Sequence, residues 1–293
     1  MAKHTFSIVP RGSFSWPSAF DVLTRFQPLA HVWTGDASDL RLSLLSDGDF
    51  APVDVRLRFE GGVLRGESTG GDVARQVARI FSLDHDGTEW DALCARERRL
   101  GALVPGLRPV CFTSPYEAAC WGIVSQHISM DQGARVIATL VEESGGRFPA
   151  PSELIHLERL RGLAAVKVER LRAVAAAALD GGLDADRLRA LGEEGALESL
   201  RRIPGIGPFW SKGIYLRACG VTDVFPDEPR ALAALEKLYG DRNTDRFRPF
   251  RMWACFLLRV ADARGLITPS TKSIRTSVRT STRSDTPARA VAS

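Results

Sequence analysis

Residues 200–210, Leu-Arg-Arg-Ile-Pro-Gly-Ile-Gly-Pro-Phe-Trp, constrain this chain more than any other stretch. One helix ends at Pro204, since a proline ring cannot be carried through a helix interior. Pro208 opens the next helix, because its missing N–H falls where a helix start has no acceptor for one. Gly205 and Gly207 between them allow positive φ and bring bare backbone to the surface. Ile206 completes the turn. The free N–H groups of such a hairpin and helix start carry partial positive charge, which suits a phosphate. A lone Gly-x-Gly is a weak sign, because glycine turns between helices are common. The full Leu-x-x-Ile-Pro-Gly-Ile-Gly-Pro between two helices is far more specific.

The chain around this hairpin reads in two parts. Within the first ~80 residues, Asp54–Phe59 alternates with period two, a Gly61-Gly62 turn follows, and Val63–Gly66 resumes the pattern. Leu40–Leu45 is a further candidate strand, and a helical stretch is expected around Pro17–Phe26. From about Val73 the pattern turns helical. Ser114-Pro115-Tyr116-Glu117 is a start signal: a serine cap, proline at the first position and glutamate three residues after the cap. Helices are expected at Met130–Glu143, Glu153–Leu157, Val168–Leu179, Ala185–Leu191, Glu194–Arg201, Pro208–Cys219, Pro229–Tyr239 and Arg246–Ala263. The expected fold is α+β. A small N-terminal antiparallel-sheet domain over residues 1–88 precedes a mostly α-helical domain over 89–267, and a disordered basic tail fills 268–293.

Composition enters chiefly through what it excludes. The apolar fraction is 44% and no run reaches the roughly 20 apolar residues that cross a bilayer. The first residues, MAKHTFSIVPRGS, have no apolar core of a secretory signal, so the cytoplasm is the expected compartment and no membrane partner is expected. The five cysteines are scattered, never as Cys-x-x-Cys, which fits buried thiols and offers no zinc or iron–sulfur ligand set. No metal and no cofactor is expected. A net charge of +4 only mildly favours a polyanion, although the Ser/Thr/Arg-rich tail could touch phosphates.

With Leu216-Arg217-Ala218-Cys219-Gly220 and Asp223-Val224-Phe225-Pro226-Asp227 downstream, the hairpin resembles the helix-hairpin-helix, Gly/Pro-Asp superfamily of DNA glycosylases. Within it the chain looks most like the 3-methyladenine DNA glycosylase II family. Further matches are Ser114–Glu117, Ile123–Ser129, Ala78–Asp84, Pro105–Pro109 and Phe247–Arg251, so the resemblance spans roughly residues 5–265. It implies a monofunctional hydrolase of the N-glycosidic bond of damaged, chiefly alkylated, bases in base-excision repair. The partner would be double-stranded DNA carrying such bases, with a nucleotide flipped into a pocket and no obligate protein partner. The hairpin, Pro204-Gly205-Ile206-Gly207-Pro208, would clamp the strand.

The same resemblance distributes the remaining roles. An aspartate after the hairpin stabilises positive charge on the sugar. Asp227 is the first choice for it and Glu228 the alternative, since the family's usual spacing puts Pro229 at the acid position. Asp227 could also be the N-cap of a helix opening at Glu228 or Pro229. Phe209 and Trp210, with Trp121 and Trp253, could line the base pocket, or be core residues of amphipathic helices; Arg259 replaces a late pocket tryptophan. Gln126 and His127 stand where the family fills the gap left by the flipped nucleotide. Bifunctional relatives carry lysine where this chain has Phe209, and Lys212 is expected on a different face, so no lyase activity is expected. The competing readings are a non-catalytic damaged-DNA-binding protein on a glycosylase scaffold and a protein-interaction scaffold.

Overall fold

The structure, a computed structural model, describes residues 3–268. The expected tail beyond Thr268 lies outside the described residues. The N-terminal part contains β1 (Lys3–Ile8), α1 (Trp16–Arg25), a 3-10 turn, β2 (Trp33–Asp36), β3 (Asp39–Leu45), β4 (Pro52–Glu60) and β5 (Val63–Thr69). The strands form one antiparallel sheet of order β1-β5-β4-β3-β2. Alternation makes the sheet one-sided: Leu40, Leu42 and Leu44 of β3 and Val53, Val55 and Leu57 of β4 are buried, and Leu40 pairs with Leu57. Burying each such side chain stabilises the fold by roughly 1.5–3 kcal/mol.

The remainder is helical: α2 (Ala74–Ile80), α3 (Gly87–Arg96), α4 (Arg98–Gly101), α5 (Pro115–Val124), α6 (Met130–Glu143), α7 (Pro151–Leu154) and α8 (Ala165–Leu179). Then come α9 (Ala185–Ala190), α10 (Gly192–Arg201), α11 (Pro208–Arg217), α12 (Pro229–Tyr239) and α13 (Arg251–Ala263). The fold is therefore α+β, as the sequence pattern predicts.

Two helices are buried on nearly every side. Every residue of α5 is buried, and Ser114 caps it by accepting from the Glu117 N–H at 3.1 Å. In α13 the run Met252–Leu258 is buried. The expected helix at Arg246–Ala263 is in fact a 3-10 turn at Asp245–Phe247 followed by α13. Pro249 explains the break: it has no N–H to donate and it holds Arg248 extended, at ψ 139°.

One buried apolar cluster runs from the sheet through the helices. Two buried arginines tie its halves together. Arg79 of α2 reaches Asp47 after β3 and donates to the Thr113 carbonyl at 2.7 Å. Arg108, fully buried, donates to the Ser13 carbonyl at 3.0 Å and the Ser82 carbonyl at 3.3 Å. Both helices that carry the hairpin rest on this scaffold.

Candidate nucleic-acid interface

The hairpin joins α10 to α11 and has a buried side and a bare side. Ile203 and Ile206 are buried, and the Ile206 N–H donates to the Ile203 carbonyl at 3.0 Å, closing the turn. Pro204, Gly207, Pro208 and Phe209 face outward. Gly205 has φ +89°, and a Cβ there would fall 2.6 Å from Arg170 Cδ and 2.8 Å from Ile123 Cδ1. Only glycine fits. Gly207 differs: its φ is −87° and nothing lies within 4 Å of a notional Cβ. Its backbone is simply uncovered. Among the described residues, the N–H groups of Gly205, Gly207, Phe209 and Trp210 have no acceptor in the chain. Together with the start of α11 they form a small field of positive partial charge.

Side chains from the turn just after α5 and from α8 hold the hairpin from behind. Gln126 Nε2 donates to the Gly205 carbonyl at 2.8 Å, and Arg170 Nη1 donates to Gln126 Oε1 at 3.3 Å. Lys167 Nζ donates to the carbonyls of Val124 at 2.8 Å and Gln126 at 2.6 Å, where α5 has run out of intrahelical donors. Burial, and then the neighbouring Arg170 charge, hold the Lys167 ammonium below its usual pKa. Sequence reasoning missed Lys167 and Arg170, although their i, i+3 spacing on α8 placed them on one face.

The pair expected to fill a gap in the duplex therefore divides. Gln126 is committed to the hairpin and is not a free wedge. His127 is exposed in the turn before α6, with φ +59°, a left-handed backbone uncommon for a side chain with a Cβ.

The expected pocket aromatics divide as well. Phe209 is 66% exposed and meets Trp210 edge-on, ring centroids 5.4 Å apart. Trp210 is half-buried on Gly122 of α5, where a Cβ would come within 2.9 Å of its indole. Trp121 and Trp253, by contrast, are 2% and 0% exposed. Trp253 packs with Trp90 at 5.5 Å and Phe250 at 5.0 Å, and Trp121 faces Gly133. Both are core residues and line no accessible surface, because the helical stretches bearing them, Pro115–Val124 and Met252–Leu258, are buried throughout. Clefts of about 640 and 320 Å³ lie elsewhere and include no residue of this site.

The acidic residues sit at the start of α12, beside α11. The loop before them is pinned to α13, since Arg251 Nε donates to Asp223 Oδ1 at 2.8 Å and Arg248 Nη1 to Asp223 Oδ2 at 2.9 Å. Asp227 points outward, 94% exposed, with Lys212 Nζ 3.2 Å from its Oδ2. Lys212 thus reaches the acidic loop from α11, but as the ion-pair partner of Asp227. Glu228 turns inward. It, and not Asp227, is the N-cap of a helix that opens at Pro229, and its Oε1 accepts from the Arg230 N–H at 3.3 Å. Arg259 Nη1 of α13 lies 3.4 Å from the same oxygen. Among the described residues Glu228 Oε2 has no hydrogen-bond partner. No group of three or more His, Cys, Asp or Glu among the described residues is placed to hold a metal ion.

Comparison with known proteins bears on this arrangement. No protein-family model matches the chain. It is 28% identical over 224 residues to DNA-3-methyladenine glycosylase 2 of Escherichia coli, covering 70% of this chain and 76% of that protein. It superposes on the 3-methyladenine DNA glycosylase of Archaeoglobus fulgidus with a TM-score of 0.72 at 20% identity, over 88% of this chain and 98% of that one. An 8-oxoguanine glycosylase/lyase of Clostridium acetobutylicum, solved with double-stranded DNA, matches with a TM-score of 0.61 at 18% identity, over 86% and 93%. The chain is thus similar in sequence to a DNA glycosylase and shares its fold with further DNA glycosylases of known structure. The relative matched in sequence is a 3-methyladenine DNA glycosylase, in line with the resemblance drawn from the hairpin and its neighbouring motifs.

Proposed function

We propose that the protein is a monofunctional DNA glycosylase of base-excision repair, removing damaged, chiefly alkylated, bases from duplex DNA in the cytoplasm. The observation that carries this reading is the hairpin. Its unpartnered N–H groups and the uncovered Gly207 offer a phosphate both charge and close approach. Exposed His127, in the turn after α5, takes the part of the wedge that enters the stack as a nucleotide leaves it. Phe209 offers the extruded base a face to stack on.

Glu228 is the acid of this reading. Its half-buried carboxylate has one oxygen fixed by the cap and Arg259, and the other free to face the sugar. As the bond between C1′ and the base breaks, that charge stabilises the cationic sugar and orients the attacking water. Asp227, exposed and paired with Lys212, remains at the rim.

The test is release of methylated purines from alkylated duplex DNA. Glu228→Gln is expected to lower turnover by roughly a hundredfold or more while DNA binding is kept. Asp227→Asn is expected to act within about threefold of the unmodified protein. Loss confined to Asp227→Asn reverses the assignment. No release by the unmodified protein, with lesion-bearing DNA still bound, establishes the non-catalytic binding reading instead.

A further inference from the structure

Arg259 stands one turn beyond Cys255 on α13 and reaches over to the cap of α12, with Nη1 3.4 Å from Glu228 Oε1. Neither side chain is sealed: Arg259 is 36% and Glu228 28% exposed. Outside them Lys212 sits 3.2 Å from Asp227. Each carboxylate of the acidic loop therefore has a cation at contact distance, and the charges of the four groups sum to zero. Partial exposure makes either pair weak as a source of stability. It still leaves an incoming base facing a guanidinium beside the Glu228 carboxylate and no net negative charge.

That pairing matters differently for two kinds of damaged base. A base already made cationic by alkylation takes the bonding pair when its bond to C1′ breaks and leaves neutral. It needs negative charge nearby, and here it meets a guanidinium beside the carboxylate it would seek. An uncharged base takes the same pair and leaves as an anion unless a cation or a proton offsets it. A guanidinium carries five N–H donors and no acceptor, so it favours the acceptor edge of such a base and the charge that grows on it. Meanwhile water adds its oxygen to C1′ and passes a proton to Glu228, and that same proton, relayed through solvent, ends on the departing base. Atoms and charge then balance.

We propose that Arg259 is a specificity-determining residue, selecting uncharged alkylated bases over cationic ones. This rests on the glycosylase reading. The experiment compares single-turnover release of 1,N6-ethenoadenine, which is uncharged at pH 7, and 7-methylguanine, which is cationic, from otherwise identical duplexes. The unmodified protein releases the uncharged base faster. Arg259→Met lowers the ratio of the two rates by about tenfold or more, the scale of one unit charge several ångströms away at a half-exposed site. Arg259→Lys, which keeps the charge, holds the ratio within about threefold. A ratio unchanged in Arg259→Met, or faster release of 7-methylguanine by the unmodified protein, overturns the proposal and leaves the glycosylase reading intact. Release of neither base overturns both. Circular-dichroism melts of the three proteins separate a change of ratio from loss of fold.

Discussion

Replacing Gly205 by alanine adds one methyl group at the most crowded point of the hairpin, and its cost can be worked out from the neighbours. The backbone there has φ +89°, which a residue with a Cβ adopts at a cost of about 1–2 kcal/mol. The new Cβ would stand 2.8 Å from Ile123 Cδ1 and 2.6 Å from Arg170 Cδ. Ile123 is in the buried helix α5, and Arg170 is tethered to Gln126, so neither yields freely. Overpacking of this kind costs a further 1 kcal/mol or more, giving about 2–4 kcal/mol in all. For a protein of this size that lowers Tm by roughly 5–15 °C. Gly207→Ala is the matched control: φ is −87° and the space is open, so its stability should stay within about 0.5 kcal/mol. Its methyl group, however, would cover backbone that a phosphate must approach, and DNA affinity should fall on the order of tenfold. Thermal unfolding and fluorescence anisotropy with a labelled duplex measure both. The reasoning is refuted if Gly205→Ala melts within about 2 °C of the unmodified protein, or if Gly207→Ala is the less stable of the two.

Two further outcomes follow from the same geometry. Lys167→Met strips the Val124 and Gln126 carbonyls of their donor and should cost about 1–3 kcal/mol in urea unfolding; a change under about 0.5 kcal/mol would show that water replaces the ammonium without loss. Burial pushes the thiols of Cys94, Cys219 and Cys255 up to about 12, so a disulfide reagent at pH 8 should modify none of them quickly in the native protein and all of them in denaturant. A fast single equivalent in native buffer would contradict that burial.

Much of the fold was legible because periodicity and caps carried it. Strands β3 and β4, the bounds of α6 and α12, and the serine cap of α5 follow from alternation and from local hydrogen bonds that involve only nearby residues. Edge strands β1 and β2 were missed: each has one pairing neighbour, and their exposed, polar positions leave little alternation to detect. The hairpin was legible because Pro204, Gly205 and Pro208 dictate backbone directly. Other parts of the site depend on three-dimensional direction, which spacing alone does not give. Trp121 and Trp253 carry the composition of a pocket, yet each lies in a stretch of helix, Pro115–Val124 or Met252–Leu258, that is buried throughout. Asp227 and Glu228 are adjacent, and which of them turns inward is decided by which one caps α12.

The Gly205 turn rests on Ile123, and Trp210 rests on Gly122, so the clamp takes its shape from consecutive residues of α5, some eighty positions earlier in the chain. The hairpin therefore depends on parts of the chain distant in sequence. Neither helix flanking the hairpin can set the turn by itself, and the N–H groups converge only after α5 has been enclosed and α8 has brought up Lys167 and Arg170. On the glycosylase reading, grip on a duplex is thereby tied to the packing of the interior and not to the hairpin residues alone.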